Sequence, residues 1–274
     1  DNAESYALGK SEEIMGSALK KLGWRRGSYL VSTKIFFGIN DGINEKETLN
    51  RKRLLEGVDG SLSRLDLVHV DMLFCHRPDS ETTMEEVVWA MSDIVASGRA
   101  LYWGTSEWSA LQIMEAWNIA DRRNLRKPQM EQAQYNLFTR ERVESEYLPL
   151  YSSIGLGLTT WSPLASGILS GKYNDGIPSG SRLSLKGYEW LRDSVIKPER
   201  IEAVKRLIPV ARDLGASLSQ LSLAWTARNR NVSTVITGAS KAEQVLDNMK
   251  ALDLVAKIDD EAARRIEEAI AGVD

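Results

Sequence analysis

Short runs of β-forming residues alternate almost one for one with helical stretches along this chain, and that alternation constrains the fold more than any other feature. Strands separated by helices cannot pair through tight hairpins. Each must return by a crossover and lie parallel to the last, under a cover of helices. Strands are expected over 29–35, 67–76, 100–106, 129–135, 157–163 and 232–237. Helices are expected over 11–22, 50–65, 83–97, 110–123, 141–154, 199–214, 217–228, 241–252 and 259–271. Ser11 reads as the N-cap of the first helix, whose stripe is Ile14, Met15, Ala18, Leu19 and Leu22; Gly98 reads as the stop of the third. From Leu164 to about Asp193 the pattern gives way to a Gly/Ser/Lys/Arg-rich segment, long enough to be a functional loop.

Six whole strands, and the end of one before Tyr6, predict an α/β fold: a (β/α)8 TIM barrel lacking its first βα unit in this chain. Residues 1–274 read as a single domain. A doubly wound open sheet is the alternative, but no Gly-x-Gly-x-x-Gly turn follows any strand. The opening at Asp1, with no Met and no leading element, reads as a chain entered partway. The formal charge of −3 gives no electrostatic case for nucleic acid or an anionic membrane. Cys75 is the only cysteine, which excludes an internal disulfide and suits a reducing compartment. No apolar run reaches the roughly 18 residues of a membrane span, and no signal peptide is visible, so a cytosolic location is expected.

In a barrel, groups at the carboxyl ends of strands open onto one face. Here those ends carry Asp1, Tyr6, Lys34, His76, Ser106, Gln132, Trp161, Ser162 and Ser240. A free phenol, with a pKa of about 10, is a poor acid near neutrality. A neighbouring ammonium favours its anion, a carboxylate holds the ammonium in place, and an imidazole orients a carbonyl oxygen. Asp, Tyr, Lys and His together can protonate a developing alkoxide while a hydride arrives from elsewhere. A Cys/His metal site is disfavoured because no second cysteine exists. Cys75, one residue from His76, is expected to face away from the site. Glu131 offers a carboxylate for glycoside hydrolysis, though no motif supports that use.

The stretches Asp1-Asn2-Ala3-Glu4-Ser5-Tyr6, Ser32-Thr33-Lys34-Ile35-Phe36, His76-Arg77-Pro78, Tyr102-Trp103-Gly104-Thr105-Ser106 and Trp161-Ser162-Pro163-Leu164-Ala165 resemble motifs of the aldo-keto reductases. Within that superfamily they look most like the β subunits of voltage-gated potassium channels. Ile168 to Tyr173, Leu185 to Tyr188 and Gly238-Ala239-Ser240 match as well, so the similarity runs end to end. The resemblance implies an NADPH-dependent (β/α)8 reductase of aldehydes or ketones. Tyr6 would be the general acid, Lys34 and Asp1 its tuning pair, and His76 the group that orients the carbonyl. Animal channel subunits usually carry asparagine at that last position, so His76 favours turnover. For the cofactor, the resemblance implies Ser106 and Gln132 at the nicotinamide carboxamide and Trp161, Ser162, Pro163, Leu164 and Ser166 along the pyrophosphate. It implies Lys172 and Arg182 in a cationic clamp, and Gly238, Ser240, Gln244, Asp247 and Asn248 at the adenosine end. Asp247 departs from the family's glutamate. As a partner it implies a channel's cytosolic domain, bound by a homo-tetramer that uses NADPH as a redox sensor, beside or instead of a small carbonyl substrate.

Overall fold

A computed structural model describes residues 1–273. Its contacts group the chain into two compact units, one of residues 1–132 with 149–157, the other of residues 133–148 with the chain from Leu158 onward.

In the first unit the order is α1 (Lys10–Leu22), β1 (Ser32–Ile35), α2 (Arg51–Leu65), β2 (Val70–Cys75), α3 (Met84–Ala96), β3 (Ala100–Ser106), α4 (Ala110–Arg122) and β4 (Met130–Gln134). The last two residues of β4 belong to the second unit. Helix α5 (Leu148–Ser153) falls almost wholly in the first. Apart from Gly157, which belongs to the first, the second unit contains β5 (Gly157–Trp161), α6 (Glu189–Val195), α7 (Pro198–Asp213), α8 (Leu218–Arg228), β6 (Val232–Val235), α9 (Ala242–Met249), α10 (Leu252–Val255) and α11 (Asp260–Ile270). Strands β1 to β4 pair in chain order in the first unit, and β5 pairs with β6 in the second. Pairing is parallel from β1 through β4 and again between β5 and β6.

Helix α2 forms where the sequence supplies both a cap and a stripe. Asn50 accepts the Arg53 amide to open α2, and Leu54, Val58, Ser61 and Leu65 then bury one face. Each fully buried aliphatic side chain contributes about 1.5–3 kcal/mol. Gly57 lets α2 approach Ile35 of β1, where a Cβ would meet that side chain at 2.8 Å. Helix α3 stops through the Gly98 amide on Val95 O and the Arg99 amide on Ile94 O, with Gly98 left-handed at φ 78°. Residues 2–4 extend the sheet beyond its named strands: the Asn2 amide donates to Ser32 O at 2.9 Å and the Glu4 amide to Lys34 O at 3.2 Å. This is the strand end expected before Tyr6.

Four expectations need correction. Ser11 does not cap α1; Gly9 does, at φ 85°, because three left-handed residues, Ala7, Leu8 and Gly9, turn the chain into the helix two residues early. Strand β2 stops at Cys75, so His76 stands just beyond it, though its amide still bonds Ile35 O at 3.0 Å. Residues 141–154 are not one helix but a π-turn over Arg142–Glu146 followed by α5. Pro149 lacks the N–H that a continuous helix would need there. The 164–193 segment is not a bare loop, since it contains the 3-10 turns Ala165–Ser170 and Arg182–Ser184 and the start of α6.

Candidate active site

The site residues of the first unit converge on the ammonium of Lys34, near the end of β1. Lys34 is 1% exposed and has three N–H donors, each with an acceptor. Nζ donates to Asp1 Oδ2 at 2.6 Å, to the Asn2 carbonyl at 2.6 Å and to the Tyr6 hydroxyl oxygen at 3.4 Å. The sequence places these acceptors locally, because the 2–4 ladder on β1 carries Asp1 and Asn2 to the lysine and the turn after Glu4 returns Tyr6. Burial lowers the Lys34 pKa to about 8, against the pull of Tyr6, while Arg77 lowers it further.

Asp1 is itself held. Its Oδ1 accepts from Ser32 Oγ at 2.8 Å and from Gln132 Nε2 at 3.0 Å. Gln132 therefore joins the Asp1–Lys34–Tyr6 cluster directly, a link no motif suggested. Ser106 Oγ donates to the Gln132 carbonyl at 2.9 Å and accepts from Arg77 at 3.4 Å, so the two nicotinamide candidates sit together.

His76 is 5% exposed. Its ring meets Tyr6 edge to face at 5.8 Å and Phe37 at 4.9 Å. Burial, then the charges of Lys34 and Arg77, hold its pKa far below the usual imidazole range, so the ring is neutral. Its Nδ1 is buried without a hydrogen-bond partner among the described residues. A neutral imidazole retains one N–H donor for an incoming oxygen. Tyr6, by contrast, is 42% exposed, and its hydroxyl oxygen accepts from Lys34, which leaves its own O–H to donate outward. Cys75 is fully buried, and burial followed by the Glu131 charge pushes its thiol pKa up, which removes it as a nucleophile. Glu131 is likewise buried and accepts from Thr105 Oγ1 and the Glu107 amide at 2.5 Å each, the bonding of a structural carboxylate.

Sequence reasoning did not pick out Glu4, Phe37 or Arg77. Glu4 is 1% exposed, pairs with Arg53, and accepts the amides of Phe36 at 3.0 Å and Gly38 at 3.1 Å. A charged residue two places before Tyr6 was the available signal.

In the second unit, the turn after Trp161 holds three successive left-handed residues, Ala165, Ser166 and Gly167, with Ser162 also left-handed. Asn136 Nδ2 donates to Ser162 O at 3.0 Å, and the Ser166 amide donates to Ser162 Oγ at 3.2 Å. Pro163 and Leu164 lie within this turn. Lys172 lies over the Tyr173 ring at 5.0 Å and closes on Gly167, where a Cβ would meet its Nζ at 2.8 Å. Arg182 lies over the Tyr188 ring at 5.5 Å. Farther along, Gln244 Oε1 accepts from both the amide and the hydroxyl of Ser240, at 2.8 and 3.2 Å. Gly238 and Ser240 are exposed; Asp247 is tied to Gln220 at 2.8 Å and to Lys250 at 3.4 Å, and Asn248 is buried. The Ser162 hydroxyl, the left-handed backbone and the Lys172 ammonium gather at the turn after Trp161, a donor set that suits a phosphate.

A family model described as the aldo/keto reductase family matches residues 1–271, through both units. The chain belongs to that family, and its parallel strand–helix order is that of the family's (β/α)8 barrel. Its relatives narrow the kinship. A probable voltage-gated potassium channel subunit beta of Oryza sativa subsp. japonica is 54% identical over 271 residues, 98% of this chain and 82% of that protein. One of the same description from Arabidopsis thaliana is 52% identical over 271 residues, with the same coverage. A putative voltage-gated potassium channel subunit beta of Schizosaccharomyces pombe is 46% identical over 273 residues, 98% of this chain and 79% of that protein. Among the described residues, no helix is long and apolar enough to cross a membrane.

Proposed function

We propose that the protein is an NADPH-dependent reductase of aldehydes or ketones in which Tyr6 is the proton donor. The observation that carries this reading is the Lys34 ammonium, whose three donors are spent on Asp1, Asn2 and the Tyr6 hydroxyl beside a neutral His76. NADPH, when bound, supplies the hydride. Tyr6 Oη gives its proton to the carbonyl oxygen as charge develops there, and the tyrosinate left behind is stabilised by the ammonium 3.4 Å away. His76 donates its N–H to the same oxygen and fixes its direction. Asp1 keeps the ammonium aimed at Tyr6, because a carboxylate 2.6 Å away favours the charged amine. Ser106 and Gln132 would hold the nicotinamide carboxamide. In the second unit the 161–166 turn, Lys172 and Arg182 would take phosphates, and Gly238, Ser240, Gln244, Asp247 and Asn248 the adenosine. The family membership supports this cofactor.

The test is Tyr6→Phe. Removing a general acid costs about 10² to 10⁴ in turnover. Aldehyde reduction, followed by NADPH absorbance, should fall by that much, with the NADPH Kd held within about twofold. Unchanged turnover overturns the assignment.

The names of the relatives favour a second reading, compatible with the first. In it the protein is a cytoplasmic homo-tetramer that docks on the cytosolic domain of a potassium channel and reports cofactor redox state. Co-purification with such a domain and the mass of the complex test it.

A further inference from the structure

The proton chemistry leaves one buried charge of the site segment unused. Glu4 lies two residues before Tyr6, and its backbone amide is pinned to Lys34 O at 3.2 Å. Its side chain faces the next connection. Oε1 accepts both the Phe36 and the Gly38 amides, so the carboxylate brackets Phe37 from either side. Oε2 pairs with Arg53 of α2, itself buried. Gly38 turns at φ 76° where a Cβ would collide with the Glu45 carbonyl, so this connection has little freedom to relax elsewhere. Held this way, the Phe37 ring stands edge-on against His76 at 4.9 Å, with the Arg77 guanidinium 5.6 Å from the Phe37 ring. Phe37 and Tyr6 flank His76 and are both partly exposed. A carbonyl that meets the Tyr6 hydroxyl and the His76 ring must pass beside Phe37.

We propose that Glu4, locked to Arg53, is a positioning residue that sets Phe37 against His76 and thereby shapes the wall beside the reacting carbonyl. A buried carboxylate that accepts two amides is fully committed to fixing backbone. Here the backbone it fixes carries a ring of the site, so its effect should reach substrate choice and not stability alone. The consequence for substrates rests on the carbonyl-reductase reading above; the consequence for Phe37 does not.

The experiment compares Glu4→Ala, Phe37→Ala and the double variant Glu4→Gln/Arg53→Gln on the full chain. In the double variant a glutamine oxygen can still accept both amides, and its NH2 can donate to the glutamine at 53. The first readout is the ring-to-ring nuclear Overhauser effect between Phe37 and His76 in protein with labelled Phe and His. It should vanish in Glu4→Ala and return in the double variant. The second is kcat/KM for benzaldehyde relative to propanal at saturating NADPH. One lost pocket contact changes discrimination by about tenfold or more. The ratio should therefore drop about tenfold in Glu4→Ala and Phe37→Ala alike, through the benzaldehyde KM, and recover in the double variant. Should Glu4→Ala fail to fold, Glu4→Ala/Arg53→Met removes both charges and carries the same comparison. A ring contact that survives in the alanine variant overturns the proposal, as does equal slowing of both aldehydes. Wild-type protein that reduces neither aldehyde refutes the reductase reading instead, and the ring contact alone then decides the role of Glu4.

Discussion

Raising the pH through 8 should switch the candidate site off, and Lys34 sets where. The ammonium is 1% exposed, and burial brings its pKa to about 8 from 10.5. Below that pH it carries all three donors, and Tyr6 has a cation at 3.4 Å to stabilise the tyrosinate that proton transfer leaves. Above it the amine is neutral and that stabilisation goes. With a pKa of about 8, about half the molecules retain the charge at pH 8, about one in ten at pH 9 and about one in a hundred at pH 10. Reduction limited by the chemical step should track those fractions. The assay is kcat for an aromatic aldehyde from pH 6 to 10.5, with 4-deuterated NADPH to verify that hydride transfer is the step observed. Lys34→Met should be slow throughout and lack the limb near pH 8. Two results would refute the reasoning: a rate that holds level to pH 10, or a limb near pH 8 that persists in Lys34→Met.

The same shift has a signature in stability. The unfolded chain holds the lysine proton up to about 10.5 and the folded chain only to about 8, so between those values unfolding takes up a proton and stability rises with pH. The full gap corresponds to about 3 kcal/mol, present as a penalty below pH 8 and relieved by pH 10.5; the difference in urea midpoints between wild type and Lys34→Met across that window measures it. His76→Asn should lower kcat/KM for aldehydes by about 10², the cost of moving one donor out of place on a shorter side chain, in a steady-state assay that also reports NADPH affinity; an unchanged rate would remove the reason to prefer turnover over a purely regulatory role. Gly104→Ala should destabilise the first unit by about 1–3 kcal/mol in urea unfolding, because its Cβ would run into the Met130 backbone carbonyl of the neighbouring strand.

The fold was legible where composition and periodicity agreed. β3 falls on the expected residues, 100–106, and α2 and α4 lie within one residue of expectation at each end. Strand bounds slipped where β-formers extend past the ladder, as at Tyr29 to Val31, which precede β1, and at His69 and His76, which flank β2. Ser11 misled because capping chemistry names good residues and cannot see that the chain has already turned at Gly9. The 141–154 stretch has helical periodicity throughout, and its one mark of a break, Pro149, is outweighed by that periodicity when only the sequence is read. That Asp1, Tyr6, Lys34 and His76 stand together was readable because all four lie at or beside strand ends. Glu4 and Phe37 were not, because their contacts depend on the path of residues 36–38, and Gln132 was read for a ligand while its amide also reaches Asp1.

The buried state of Cys75 has a practical consequence. It is the only thiol in the sequence, fully enclosed, with its thiolate suppressed by burial and by Glu131. Thiol-directed dyes and spin labels will pass the native chain by. A cysteine placed at an exposed position such as Ser184 would then be the one group such reagents mark. The molecule is in effect a blank slide on which a single chosen surface site can be written and read, with no native residue to remove first.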